Sequence, residues 1–141
     1  MKQRIYCAGP ISGDVTYQKS YRQIIKLVNE LGAIPLHEPD LIPNTNLKDK
    51  EIYDRDIQWL EESNGVIAEV SGPSLGVGFE ISYALFTLKK PVLALYSNQV
   101  KRLSAMIKGC DNNSLTVKCY QNEIELEMFV RGFLEDLLKK G

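Results

Sequence analysis

Strand-like and helix-like patterns alternate along the whole chain, and this alternation restricts the fold more than any other feature. Residues 4–8 form an apolar, strand-like run that stops at Gly9-Pro10 and Gly13. Over 17–31, Tyr21, Ile24, Leu27, Val28 and Leu31 recur at helical spacing, and Gly32 stands where a helix commonly ends. A short second strand is expected at 33–36, followed by a loop from His37 to about residue 49. A helix over 51–63 leads to an apolar strand at 66–70 and a Gly/Pro/Ser loop at 71–78. A helix at 79–89 and a strand at 92–96 come next. A short helix at 102–107, a strand at 114–120 and a helix at 123–140 complete the series. The last helix is expected to turn Ile124, Met128, Leu134 and Leu138 inward. Strands that alternate with helices form a mostly parallel sheet covered on both faces, so the chain reads as an α/β fold with five strands. Such sheets bind ligands beyond the carboxyl ends of their strands, which directs attention to loops 7–13, 37–49 and 71–78.

With 141 residues, the chain is read as one domain spanning 1–141. Hydrophobic residues at 44% and charged residues at 25% argue against disorder and for an ordinary soluble protein. The formal net charge of -1 supplies no broad cationic field, so neither nucleic acid nor a membrane surface is an expected partner. No apolar run approaches the ~20 residues of a spanning helix, and the start of the chain lacks a signal-peptide pattern. Cys7, Cys110 and Cys119 form neither a disulfide framework nor a metal pair, and His37 is the single histidine. No metal or cofactor is expected, and the compartment is read as the reducing cytoplasm.

Three segments could carry chemistry. Cys7-Ala8-Gly9-Pro10-Ile11-Ser12-Gly13 joins a strand to a helix, where backbone N–H groups can meet phosphate or hydroxyl oxygens. It matches neither the dinucleotide fingerprint nor the P-loop, and a plain tight turn is an equal reading. Ser71-Gly72-Pro73-Ser74-Leu75-Gly76-Val77-Gly78-Phe79-Glu80 offers a hydroxyl, glycines and a carboxylate placed in the first turn of the next helix. That carboxylate is either a charge–dipole contact worth ~0.3–1 kcal/mol or an ionised nucleophile of the kind a retaining N-glycosidase uses. Asp56 shares a helical stripe with Ile52 and Leu60, so it should face the protein and needs a partner or a task. Arg55, about 100° around the helix, is an imperfect partner for it. Tyr6 and His37 sit in the first strand and at the ligand edge, where structural roles are the commoner outcome. Lys101 through Gly109 is a basic stretch that on composition alone is a solvated face.

Together these segments resemble the nucleoside 2-deoxyribosyltransferase superfamily, above all its 2'-deoxynucleoside 5'-phosphate N-hydrolase branch. The resemblance rests on Ile5-Tyr6-Cys7-Ala8-Gly9-Pro10-Ile11, Asp54-Arg55-Asp56 with Trp59-Leu60, and Ile67-Ala68-Glu69-Val70. It continues in Pro73-Ser74-Leu75-Gly76-Val77-Gly78-Phe79-Glu80 and Leu103-Ser104-Ala105-Met106-Ile107-Lys108-Gly109. It implies a flavodoxin-like fold and a homodimer whose active site the partner completes. It implies Glu80 as a nucleophile on the sugar C1', Asp56 as the acid/base group and Tyr6 as the residue that orients the nucleophile. Ser74 and the loop from Cys7 to Gly13 are implied to hold the 5'-phosphate, with Ser104 and the backbone of Ala105 and Met106 reaching it from the other subunit, and Gly76 is implied to bind substrate. His37 falls in the loop that contacts the base. Pro10 and Ser12 stand where the hydrolase branch usually has serine and arginine, and Ala-Gly-Pro is the pattern of the transferases. The Ser104 segment points back to the hydrolases. Deoxynucleotide hydrolysis, base exchange on deoxynucleosides and a ribonucleotide N-glycosidase are thus the three activities the resemblance leaves open.

Overall fold

A computed structural model describes residues 1–11, 16–38 and 46–140. Five strands, β1 (Arg4–Ala8), β2 (Ile34–Leu36), β3 (Gly65–Glu69), β4 (Val92–Ser97) and β5 (Leu115–Tyr120), alternate with helices. These are α1 (Gln18–Glu30), α2 (Asp49–Glu62), α3 (Leu75–Ser82), α4 (Ala105–Lys108) and α5 (Glu123–Lys140), and α3 runs on through a π-helical turn at Tyr83–Thr87. The strand order is β2-β1-β3-β4-β5 and every pairing is parallel. This is the flavodoxin-like order, whose direction reverses between β1 and β3, and the crevice at that switch point is where such sheets take ligands.

Alternation along the strands divides the core into two layers, because successive side chains leave a strand on opposite faces. Ile5, Cys7, Ile67, Leu93 and Leu95 pack under α1 and α5. Tyr6, Ala8, Val66, Ala68, Val92 and Ala94 pack under α2 and α3 with Leu60, Val77, Ile81 and Leu85. Tyr6 therefore faces the layer that carries Asp56 and Glu80. The α5 face differs from the expectation. Leu126, Val130, Leu134 and Leu137 are buried there, while Ile124, Met128 and Leu138 are exposed. Both sets fit a helical period, and only contact with α1 selects between them.

Two boundaries bear on the site. α2 starts at Asp49, ahead of the expected residue 51, because the Glu51 carboxylate accepts from the Lys48 N–H at 2.9 Å. α3 starts at Leu75, four residues before the expected 79, because Ser74 caps it and accepts from the Val77 N–H at 3.3 Å. Gly76 and Gly78 made this stretch read as loop, yet both lie inside the helix, and a Cβ at either would meet nothing within 4 Å.

Candidate active site

Tyr6 is buried in β1 and its hydroxyl donates a short hydrogen bond to the Glu80 carboxylate of α3. Glu80 and Asp56 of α2 line one pocket of about 270 Å³, walled by Tyr53, Ile57, Phe79 and Gly76. Residues from three separate elements thus converge. Tyr6 and Glu80 are 74 positions apart and meet only because β1 lies beside β3, whose following helix crosses above it.

The electrostatics of this trio differ from the sequence expectation. Early helix start places Glu80 in the second turn of α3, beyond the first-turn N–H groups that were expected to keep it ionised. Burial dominates instead and pushes the Glu80 carboxyl from 4.5 up to about 8. The Tyr6 hydrogen bond and the Arg55 charge oppose that rise, while the nearby Asp56 and Glu38 charges reinforce it. Asp56 is also raised by burial, and there the Arg55 charge and hydrogen bond pull it back down. The Tyr6 phenol is held well above its ordinary value, by burial first and the Glu80 charge second, so it remains a donor.

Arg55 is a true partner of Asp56, against the expectation. Its Nε lies 3.1 Å from Asp56 Oδ1, and its Nη2 makes a short contact with the Glu38 carboxylate. The guanidinium also lies over the Trp59 ring, 4.8 Å from its centre. Adjacent residues on a helix diverge, but a side chain as long as arginine folds back over the gap. Sequence reasoning missed Glu38 altogether. It follows His37, and that proximity to the β2 carboxyl end was the one available signal. His37 itself places Nδ1 2.6 Å from the Glu38 carbonyl oxygen and does not line the carboxylate pocket.

The first-strand loop is partly accounted for by packing. A Cβ on Gly9 would lie 2.4 Å from ring atoms of Tyr21, whose hydroxyl donates to the Cys7 carbonyl at 2.8 Å. Gly9 is therefore required by an aromatic ring, independently of any ligand. Cys7 and Ala8 are buried in opposite core layers, and burial pushes the Cys7 thiol up, away from thiolate reactivity. Pro10 is buried and Ile11 is partly buried against the core. Ser12 and Gly13 lie outside the described residues.

Ser74 and Gly76 line a second, larger groove of about 890 Å³ together with Ser104, Ala105 and Met106. Gly76 belongs to both cavities, so the groove adjoins the carboxylate pocket, but neither Glu80 nor Asp56 lines it. Ser104, Ala105 and Met106 are thus not brought onto the carboxylates of their own chain. Lys101, Arg102 and Lys108 are exposed. Among the described residues no group of His, Cys, Asp and Glu is arranged to hold a metal ion, and no helix is long and apolar enough to cross a membrane.

A doubly wound parallel sheet, with two carboxylates lining one pocket and a tyrosine bonded to one of them, puts the chain in the class of α/β proteins that take ligands at the carboxyl edge of the sheet. The nucleoside 2-deoxyribosyltransferase family model matches residues 5–128, and the chain belongs to that family. A Nematostella vectensis protein named as a 2'-deoxynucleoside 5'-phosphate N-hydrolase is 41% identical over 141 residues, covering 93% of this chain and 94% of the relative. A Tetraodon nigroviridis protein named 5-hydroxymethyl-dUMP N-hydrolase is 39% identical over 131 residues, covering 86% of this chain and 92% of the relative. The solved structure of a Clostridium botulinum CMP N-glycosidase shares the fold at a TM-score of 0.63 and 18% identity, covering 96% of this chain and 98% of that one.

Proposed function

We infer that this protein hydrolyses the N-glycosidic bond of 2'-deoxynucleoside 5'-monophosphates, releasing a free base and 2-deoxyribose 5-phosphate. The observation that carries the reading is that Glu80 and Asp56 line one pocket while Tyr6 hydrogen-bonds Glu80, in a chain whose relatives bear the names of such hydrolases. In the first step the ionised Glu80 carboxylate forms a bond to C1' as the C1'–N bond breaks, and Asp56 gives the departing base its proton. In the second step Asp56 takes a proton from water, the water oxygen bonds to C1', and Glu80 leaves as carboxylate. Tyr6 holds the Glu80 oxygen in place through both steps. Ser74, Gly76 and the Cys7–Gly13 loop take the phosphate end, and His37 the base side.

The active unit in this reading is a homodimer in which the partner subunit's Ser104, Ala105 and Met106 complete the phosphate site. Leu75 is 98% exposed and Met106 84% exposed, and both line the larger groove beside the half-exposed Phe86. Apolar exposure on this scale at a groove rim is characteristic of a surface that another chain covers. A Leu75→Glu variant is expected to run as a monomer in size-exclusion chromatography with scattering detection and to lose activity. The three free cysteines are consistent with a cytoplasmic setting.

The test compares dGMP, 5-hydroxymethyl-dUMP, deoxyguanosine and GMP, each with and without a second free base, with products followed by chromatography. Base release from the deoxynucleotides alone, lost in Glu80→Ala, is the expected result. Base exchange on deoxyguanosine would make the protein a transferase, and release from GMP would make it a ribonucleotide N-glycosidase.

A further inference from the structure

Glu69, the last residue of β3, is fully buried and takes no part in the reaction described above. It points into the α1/α5 layer, away from Glu80, and among the described residues none of its contacts is a cation. Oε1 accepts the Ser71 N–H at 2.7 Å, and Oε2 accepts the Ser71 hydroxyl at 3.0 Å and the Tyr120 hydroxyl at 2.5 Å. Ser71 Oγ accepts in turn from the Ser97 N–H at 2.8 Å. Ser20 of α1 also reaches the Tyr120 hydroxyl. The ends of β3, β4 and β5 are thereby tied to the first residue of the loop that enters α3, at the carboxyl edge of the sheet.

A carboxyl group wholly removed from water and lacking an ion pair is costly unless every lone pair is engaged. Burial raises its proton affinity, and the Tyr120 and Ser71 hydrogen bonds oppose that rise. Apolar residues would fill the same volume at less cost, so a task is needed to account for the carboxylate. The geometry points to Glu69 as a positioning residue: through Ser71 and Tyr120 it fixes the loop that delivers Ser74 and Gly76 to the substrate groove. Position is what the groove needs from this loop. Ser74 caps α3, and Gly76 borders both cavities, so a drift of Ser71 moves the whole floor of the phosphate end. Glu80 has separate anchors in the Tyr6 hydrogen bond and in buried Ile81, its neighbour in α3. Loosening the loop should therefore weaken substrate binding more than the chemical step. The KM part of this inference rests on the nucleotide-hydrolase reading.

In Glu69→Gln an –NH2 group replaces Oε2 and confronts two hydroxyl donors, while the bond from the Ser71 N–H can persist. We expect KM for a deoxynucleoside monophosphate to rise about five- to tenfold while kcat stays within about twofold. Tyr120→Phe removes one donor and should shift KM in the same direction by less. Amide exchange at Val77 and Gly78 should quicken at least tenfold in Glu69→Gln, with the β1 and β3 amides unchanged. A folded Glu69→Gln with wild-type KM, or a fall in kcat at constant KM, overturns the proposal. Should Glu69→Gln fail to fold, Tyr120→Phe decides, and an unchanged KM there overturns it as well. If the wild-type protein turns over no nucleotide, the hydrolase reading fails and amide exchange alone decides whether Glu69 positions the loop.

Discussion

Replacing Glu80 by Gln should make the protein more stable, and increasingly so as pH rises. In the folded chain burial holds the Glu80 carboxyl at about 8, against 4.5 for the ordinary side chain. Between those two values the folded state keeps a proton that the unfolded state has released. The unfolded chain thus binds one proton fewer, and stability falls with pH by about 1.4 kcal/mol per pH unit over that window. The stabilisation is complete below about pH 4.5 and gone above about pH 8, a total near 5 kcal/mol. Gln has nearly the same shape, accepts the Tyr6 hydroxyl through its amide oxygen and does not titrate. Urea unfolding of both proteins at equal concentration, at about pH 5, 7 and 9, provides the assay. The variant's advantage should grow from under about 1 kcal/mol at the lowest pH to about 3 kcal/mol at neutrality and about 5 kcal/mol at the highest. Parallel stability curves across this range would refute the argument that burial, rather than the helix terminus, governs Glu80.

The same proton affinities shape the rate. Glu80 must be ionised and Asp56 protonated at once, so kcat/KM should be bell-shaped with its alkaline limb falling near pH 8. In Asp56→Asn the residual rate should instead climb about tenfold per pH unit and level off below pH 8, because only ionisation of the nucleophile remains and the Asp56 charge that helps raise it is gone. A residual rate independent of pH would remove Glu80 from that role. Gly9→Ala should cost about 1–3 kcal/mol in urea unfolding, since its Cβ would lie 2.4 Å from the Tyr21 ring. A wild-type midpoint would show that Tyr21 moves aside freely.

Much of the fold and part of the site were legible in the sequence, for separable reasons. Strands β1 to β4 are largely apolar stretches near Gly, Pro or Asn and β5 alternates polar with apolar, so all were placed, and helix periods of 3.6 marked α1, α2 and α5. The start of α3 was misplaced because two glycines outweighed one capping serine. The inward face of α5 was misplaced because two apolar stripes compete on that helix and only tertiary contact selects between them. Tyr6, Glu80 and Asp56 stood out through their motifs, and the fold brings Tyr6 against Glu80 and the two carboxylates into one pocket. The charge state of Glu80 was not legible, because it depends on burial by residues distant in sequence. Glu38 was missed for the same reason. Its place beside the β2 carboxyl end is the one local signal, and its partner Arg55 lies 17 positions away across the β2–α2 connection.

Arg55 is where these effects meet. Glu38, Asp56 and Glu80 act on one another, and Arg55 is the guanidinium that bonds two of them. Its hydrogen bond and charge pull Asp56 down directly, whereas on Glu80 it is the weakest of the causes. Replacing it with methionine keeps much of the side-chain volume over Trp59 but leaves Asp56 facing burial and the Glu38 charge, both of which raise it. The acid limb of the kcat/KM profile should therefore move to higher pH more than the alkaline limb, and the bell should narrow from its acid side. Arg55→Lys retains the charge without the planar fork that reaches both carboxylates, and should give a smaller movement of the same limb. If Arg55→Met lowers the rate without moving either limb, Arg55 only holds α2 against the β2 end, and the Asp56 proton is set by burial alone.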